Sequence, residues 1–330
     1  GLNYNGQAID LHNISTTASL AEGFFQGKVR IDDPTYMVME AEGLVDIRPG
    51  RDSLKLKGVV DTLFVSKLGL SQNLDVLHGT FNVDFDGFDP FDFQIDDLTG
   101  RAQMDSVFLQ KGNRSHTIEW MEFNASEDPA QRLVLSTSNI DMMVSGDFSY
   151  TMVYNDLISL AKEYMLNFQN NFEELENYYI QKPPTDDSRY KLNYSMTLRD
   201  MNPFINVFLD DPDSIGISKN AVLDGMILGG QTRVFNLYAE ADSVSVNGQY
   251  FLQNTLEFNS SKIADSANVL ASLYVQSNEQ VFRNFTETKG LFAGGVWNKD
   301  RINFDFNISQ KELNNYAFIR GDIMFLEDTI

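Results

Sequence analysis

Apolar and polar side chains exchange places every second residue along most of this chain, and few architectures accommodate such a pattern. In Gly79–Leu98, Phe81, Val83 and Phe85 are followed by Phe91, Phe93 and Ile95, with Asn82, Asp84, Asp86, Asp92, Gln94 and Asp96 between them. Successive side chains of a strand point to opposite faces. Each run therefore predicts a strand with one apolar and one acidic side. The alternation recurs at Val29–Ile31 and in 53–65, 101–109, 116–123 and 132–138. In 139–150 it puts Ile140, Met142, Val144, Phe148 and Tyr150 on one face. It resumes past residue 183, most strongly in Arg301–Ser309, where Ile302, Phe304, Phe306 and Ile308 share a side. Gly, Asn, Asp and Ser, the residues that turn a chain, separate the runs. Many short antiparallel strands at this spacing predict an all-β architecture.

Two segments change period. From 153 to 179, Val153, Leu157, Ala161, Tyr164, Phe168, Phe172, Leu175 and Tyr179 recur at steps of three and four, while Asp156, Lys162, Glu163, Glu173 and Glu174 take the other positions. This predicts one long amphipathic helix of about 27 residues, ended by Pro183 and Pro184. Leu157, Tyr164, Phe168 and Phe172 are expected to be buried against strands, either plugging the apolar face or packing between repeats. A second, short helix is predicted in Asp200–Asp211, with Asn202 as cap, Pro203 in the first turn and Phe204, Val207 and Phe208 as its apolar side. The division is then a β-rich unit over 1–150, a helix and linker over 151–189, and a second β-rich unit over 190–330 opened by the short helix.

The chemistry of the chain excludes several function classes. A net charge of -22 and an isoelectric point near 4.4 argue against a nucleic-acid partner, which calls for clustered Lys and Arg, and against docking on an anionic bilayer. There is no cysteine for disulfides, zinc–thiolate sites or thiol catalysis. No apolar run is long enough to span a membrane as a helix. The G-x-S-x-G, P-loop and dinucleotide-binding glycine patterns are missing, and His12, His78 and His116 stand apart. No enzyme, cofactor or metal site is predicted. The chain opens on GLNYNG without a signal-like segment and ends on FLEDTI, which reads as a piece of a longer polypeptide.

One triplet recurs. Asp-Ser/Thr-aliphatic presents Ser53, Thr62, Ser106, Ser214, Ser243, Ser266 and Thr329. It fits turns that lead into strands, and it equally resembles the O-glycosylation acceptor motif of bacterial envelope proteins.

Three architectures would use the Phe-rich face: a closed sandwich or barrel core, an outer-membrane barrel facing lipid, or a curved sheet with an open apolar groove. Variable run lengths and the intervening helix disfavour the membrane barrel. The pattern alone leaves the first and third open. The segment LDVLHGTFNVDFDGFDPFDFQIDDLTGRAQMDSVFL, the strands IEWMEFNAS and RLVLSTSNIDMMVSGDFSYTMVYNDL, and LRDMNPFINVFLDDPDSIGISKNAVLDGMILGG together resemble the bacteroidete form of the TamB/AsmA-like envelope proteins. The resemblance covers most of the chain, without the family's inner-membrane anchor or C-terminal signature domain. It implies an extended, curved antiparallel sheet, a taco-like groove, bridging inner and outer membranes through the periplasm. Phospholipid acyl chains would ride in the groove, with a BamA-like barrel protein as outer-membrane partner. The groove lining would be Phe81, Val83, Phe85, Phe91, Phe93, Ile95, Ile140, Met142, Val144, Phe148, Ile302, Phe304, Phe306 and Ile308. A scaffold for outer-membrane barrel assembly and a glycan-binding surface protein are the alternatives.

Overall fold

The computed structural model describes residues 2–4, 7–48, 50, 52–87, 95–127, 130–169, 172–182, 189–209, 211, 214–264, 266–283, 285, 287–310 and 312–325. The chain is dominated by antiparallel sheet, the class its alternation predicts. Two compact units emerge: residues 1–143 with 199–212, and residues 144–198 with 213–330. The long helical segment thus packs within the second unit. The short helix belongs to the first and does not open the second. No described helix is long and apolar enough to cross a membrane.

The first unit begins with a small hairpin, β1 (Leu2–Tyr4) and β2 (Gln7–Ile9). A meander follows: β3 (Ile14–Ala21), β4 (Phe24–Asp33), β5 (Met37–Asp46), β6 (Ser53–Phe64), β7 (Val76–Asp86), β8 (Thr99–Lys111), β9 (Arg114–Ser126) and β10 (Gln131–Thr137). Each strand pairs antiparallel with the next. Residues directly opposite in such a ladder share a face. Register therefore draws the row Thr16, Val29, Ala41, Gly58, Phe81, Met104 and Met121 from β3 to β9. Beside it runs Gly27, Gly43, Leu56, Val83, Ala102, Phe123 and Leu135. The opposite face carries a charged ladder in which Glu42 receives Lys28 at 2.7 Å and Lys57 at 2.8 Å.

Bulges interrupt this meander at two of the recurrent triplets. The β6–β7 register shifts between Val60 and Leu63, around Asp61-Thr62. The β7–β8 register shifts beside Asp105-Ser106, where Ser106 has a φ of 53°. An extra residue on one strand forces this local geometry.

Strand β11 (Ile140–Asp147) leads to the second unit, whose helices are α1 (Tyr150–Phe168) and α2 (Phe172–Gln181). The single helix expected over 153–179 is thus two helices, the first closed by Gln169. Ser149 caps α1, its hydroxyl accepting the Met152 N–H at 3.1 Å. Then come β12 (Tyr190–Leu198), α3 (Asn202–Phe208, in the first unit), β13 (Ile215–Ile217), β14 (Ala221–Gly229), β15 (Thr232–Val246), β16 (Gln249–Ile263), β17 (Leu270–Val281), β18 (Thr288–Asn298), β19 (Arg301–Gln310) and β20 (Tyr316–Met324). Strands β12 and β14 to β20 pair in that order, with β13 beside β15.

In the first unit, α3 lays Phe204 and Phe208 against the core cluster of Val107, Leu109 and Ile118. Met201 is its N-cap; Asn202, expected to cap, is already helical. Its last carbonyls accept from cations of β8 and β9. Lys111 Nζ reaches Phe208 O at 3.1 Å, and Arg114 Nη1 reaches Asn206 O at 3.3 Å and also Leu209 O. Positive charge at a helix C-terminus complements its dipole.

Candidate functional site

The second unit repeats the one-sided plan and divides its apolar face in two. One row of directly opposed residues runs Leu192, Ile227, Phe235, Ser260, Ala271, Trp297, Ile302 and Ile323. The next reads Tyr194, Gly225, Leu237, Phe258, Leu273, Gly295, Phe304 and Gly321, and the third Met196, Leu223, Ala239, Leu256, Val275, Ala293, Phe306 and Ile319. The opposite face is polar: Ser195, Asp224, Tyr238, Glu257 and Tyr274 form one of its rows.

Helix α1 covers the first row from Leu192 to Trp297. Val153 and Leu157 pack with Phe148, Tyr190, Leu192, Ile227 and Phe235 in one core cluster. At the other end of the helix, Tyr164 and Phe168 meet Trp297, with ring centroids 6.0 and 6.1 Å apart. The third row lies beyond this cover. There Leu198, Leu223, Ala239, Leu256, Val275 and Leu291 line a cavity of about 370 Å³ whose walls are almost wholly apolar. A covered core and an uncovered apolar cavity thus occur on one face at different distances along the strands.

Glycines keep this face thin. Tyr194 stands opposite Gly225 and Phe304 opposite Gly321; a Cβ on either glycine would come within 2.4 and 2.8 Å of the ring it faces. Phe81 lies across Gly58 in the first unit by the same device.

Under α1 the packing is ionic. Glu163 is fully buried; Lys182 Nζ lies 2.7 Å from its Oε1 and Lys262 Nζ 3.0 Å from its Oε2. Arg233 Nη1 is 3.8 Å from Oε1, and its Nη2 pairs with Asp156 at 2.6 Å. Tyr178 donates to Glu163 at 3.2 Å, and Tyr190 to Asp156 at 2.9 Å. Tyr179 accepts from Lys262 at 2.7 Å. Burial on its own would raise the Glu163 carboxyl. The Lys182 hydrogen bond and the Lys262 charge more than offset it, holding Glu163 below the ordinary range. Lys262 is lowered by burial against the pull of Glu163, and burial pushes the Tyr194 phenol up to about 12.

The residues singled out in the sequence fall into distinct places. Phe81, Val83 and Phe85 line the apolar face of β7, with Phe85 buried edge-on to Phe123. Ile140 and Met142 are half-buried on β11, where Val144 packs against the closed core cluster under α1 and not in an open groove; Ile302, Phe304, Phe306 and Ile308 are half-buried on β19. Two further assignments are corrected. Ile95, expected in a strand, sits in a short 3-10 turn (Ile95–Asp97) and is exposed, because Asp96 and Asp97 favour a turn over pleated pairing. Phe148 lies past the end of β11, buried in the closed core under α1. Phe91, Phe93 and Thr329 lie outside the described residues.

The helix face is also rotated from its expected setting. Leu157 and Tyr164, expected to be buried, are half-buried, Phe168 is 61% exposed, and the buried positions of α1 are Leu160, Glu163 and Leu166. Phe172 is the first residue of α2, its side chain outside the described set. Among the Ser/Thr candidates Ser106 is exposed, while Ser53, Thr62, Ser214, Ser243 and Ser266 are half-buried. Compared with known family models, curated proteins and solved structures, the chain matches none.

Proposed function

We propose that this chain is a segment of a TamB/AsmA-like envelope protein that carries phospholipid acyl chains along an apolar β-face through the periplasm, with a BamA-like barrel protein at the outer membrane. The observation that carries this reading is the uncovered part of the second unit's apolar face. Its cavity of about 370 Å³ falls in the range of small-molecule sites, but its walls lack the convergent polar groups that would fix a polar substrate. Hydrocarbon laid there leaves water at about 25 cal/mol per Å² of apolar surface covered. Movement along the face breaks few directional bonds, because Glu240, Asn254, Thr255 and Ser277 border the cavity but almost none of its exposed lining is polar. The polar opposite face stays wet, and a head group does the same at the groove's rim.

Native mass spectrometry with lipid extraction tests this, using protein incubated with zwitterionic phosphatidylethanolamine/phosphatidylcholine vesicles, which do not repel a chain of net charge -22. Bound phospholipid is expected in the unaltered chain and lost in Leu256→Asp. Ala239→Trp, which fills the cavity without adding charge, is expected to lose it as well, and circular dichroism checks that both variants fold. Lipid retained in both folded variants, or none bound to the unaltered chain, overturns the reading.

Strand β20 favours a second reading, a scaffold for barrel assembly. Its Tyr316, Phe318, Ile319 and Ile323 are all exposed, apolar side chains on both faces of a strand that β19 pairs. Exposed apolar surface of this kind suits contact with a partner chain.

A further inference from the structure

Helix α1 is more apolar than its packing requires. A helix that rests on one sheet needs an apolar stripe of roughly 100°. At ~100° per residue, Val153, Leu157, Leu160 and Tyr164 supply that stripe. A second stripe adjoins it: Tyr154, Ile158, Ala161, Met165 and Phe168, at steps of four and three residues. Its large members are left in water, Tyr154 66%, Ile158 56%, Met165 53% and Phe168 61% exposed.

We infer that this outward stripe of α1 is a second contact surface for a lipid acyl chain, continuous with the apolar sheet face; the inference rests on the acyl-groove reading and extends it to the helix. Continuity is visible at Phe168. Its ring is 6.1 Å from Trp297 and 6.3 Å from Phe325, so the stripe joins the sheet row that continues through Ile302 and Ile323. Charge points the same way. In a chain of net charge -22, the exposed positions of α1 (Thr151, Tyr154, Asn155, Ile158, Ala161, Lys162, Met165 and Phe168) include no carboxylate. Length fits as well: Tyr154 to Phe168 spans about 21 Å of helix, enough for one acyl layer, about half of a ~30 Å hydrocarbon core. A second copy of the chain fits less well. Four partly exposed side chains offer roughly 400 Å² per partner, below the ~800 Å² per partner of a stable interface. The helix is thus a part of the path and not its plug.

The test uses vesicles of a phosphatidylcholine bearing a photoactivatable diazirine on its acyl chain, with labelled peptides mapped by mass spectrometry. In the unaltered chain, label is expected both on 154–168 and on the cavity strands β14–β18. In Ile158→Glu/Met165→Glu, whose substitutions lie on exposed positions, label on 154–168 is expected to fall at least fivefold. Label confined to the cavity strands overturns this inference and leaves the groove reading standing. Label on the helix without the cavity does the reverse, and no label anywhere overturns both. A concentration-dependent dimer in sedimentation, dissociated by the double substitution, would assign the stripe to a second copy and also overturn it.

Discussion

Glu163 on α1 and Lys262 on β16 face each other at 3.0 Å, both fully buried, and they pin the helix to the sheet from inside. Removing one member of a buried ion pair leaves an uncompensated charge, at a cost of about 3–5 kcal/mol. Glu163→Leu leaves Lys182, Lys262 and Arg233 converging on its place, so the full cost is expected in urea unfolding. Glu163→Leu with Lys262→Met should cost less than the sum of the two single changes, since the two residues act as one unit. Strict additivity would mean that the pair does not couple.

The same node gives an acid limb. The folded Glu163 carboxyl is held below its unfolded value of about 4.3. Its contribution is therefore complete above that value and lost as pH falls through the lower, folded one. Lys262 is depressed too, but a depressed lysine regains stability only as pH rises through its folded value, on the alkaline side. Unfolding free energies of the unaltered chain and Glu163→Gln should differ most near neutrality and converge below about pH 4. A gap that stays constant down to pH 3 would remove Glu163 from the acid limb.

This node also shows where the sequence stops being informative. Two-residue alternation made the strands legible, and with them the shared faces of Phe81 with Val83 and Phe304 with Phe306. It could not tell open face from covered face, since Phe148 and Phe304 alternate alike, yet Phe148 lies past its strand in the core under α1 and Phe304 stays half-buried on β19. On the helix, periodicity counts a carboxylate as a solvent position and so assigns Glu163 to the outside. What buries it is Lys182, Arg233 and Lys262, up to about a hundred residues away in the chain. The exposed Phe168 is the other half of that rotation.

Cross-strand glycines give a contrast between two substitutions of the same kind. Alanine at Gly229 would put its Cβ 1.8 Å from the Tyr190 ring, which is buried and tied to Asp156. Alanine at Gly321 meets only the half-buried Phe304 ring, at 2.8 Å. Overpacking a fixed ring costs about 1–3 kcal/mol or more, whereas a ring with room swings aside. Gly229→Ala is expected to lower the unfolding midpoint clearly and Gly321→Ala to leave it nearly unchanged. Equal effects would show that the Phe304 ring is as confined as Tyr190.

On the charged face, hydrogen bonds and charge from Lys28 and Lys57 hold Glu42 down to about 2. These groups are in water, so salt screens them and their share of stability is small. What the ladder contributes is present above about pH 4 and fades as pH falls through about 2. Carboxyl resonances followed by NMR should give Glu42 a midpoint near 2 at low salt, rising in 1 M NaCl. A midpoint already near 4 at low salt would dissolve the ladder.

Bulges rank the Asp-Ser/Thr triplets as modification sites. Ser106 is exposed on its bulge, while Ser266 is half-buried, its hydroxyl accepting the Asn268 N–H at 3.1 Å and its carbonyl taken by Tyr179 at 2.9 Å. A glycosyltransferase must reach both the hydroxyl and the backbone around it, and the bulge lifts Ser106 out of the ladder. In protein expressed in a bacterial envelope that O-glycosylates such triplets, glycopeptide mass spectrometry should find Ser106 occupied ahead of Ser243 and Ser266. Occupancy at Ser266 with Ser106 bare would mean that modification precedes folding, and the triplets would then owe their positions to strand entry alone.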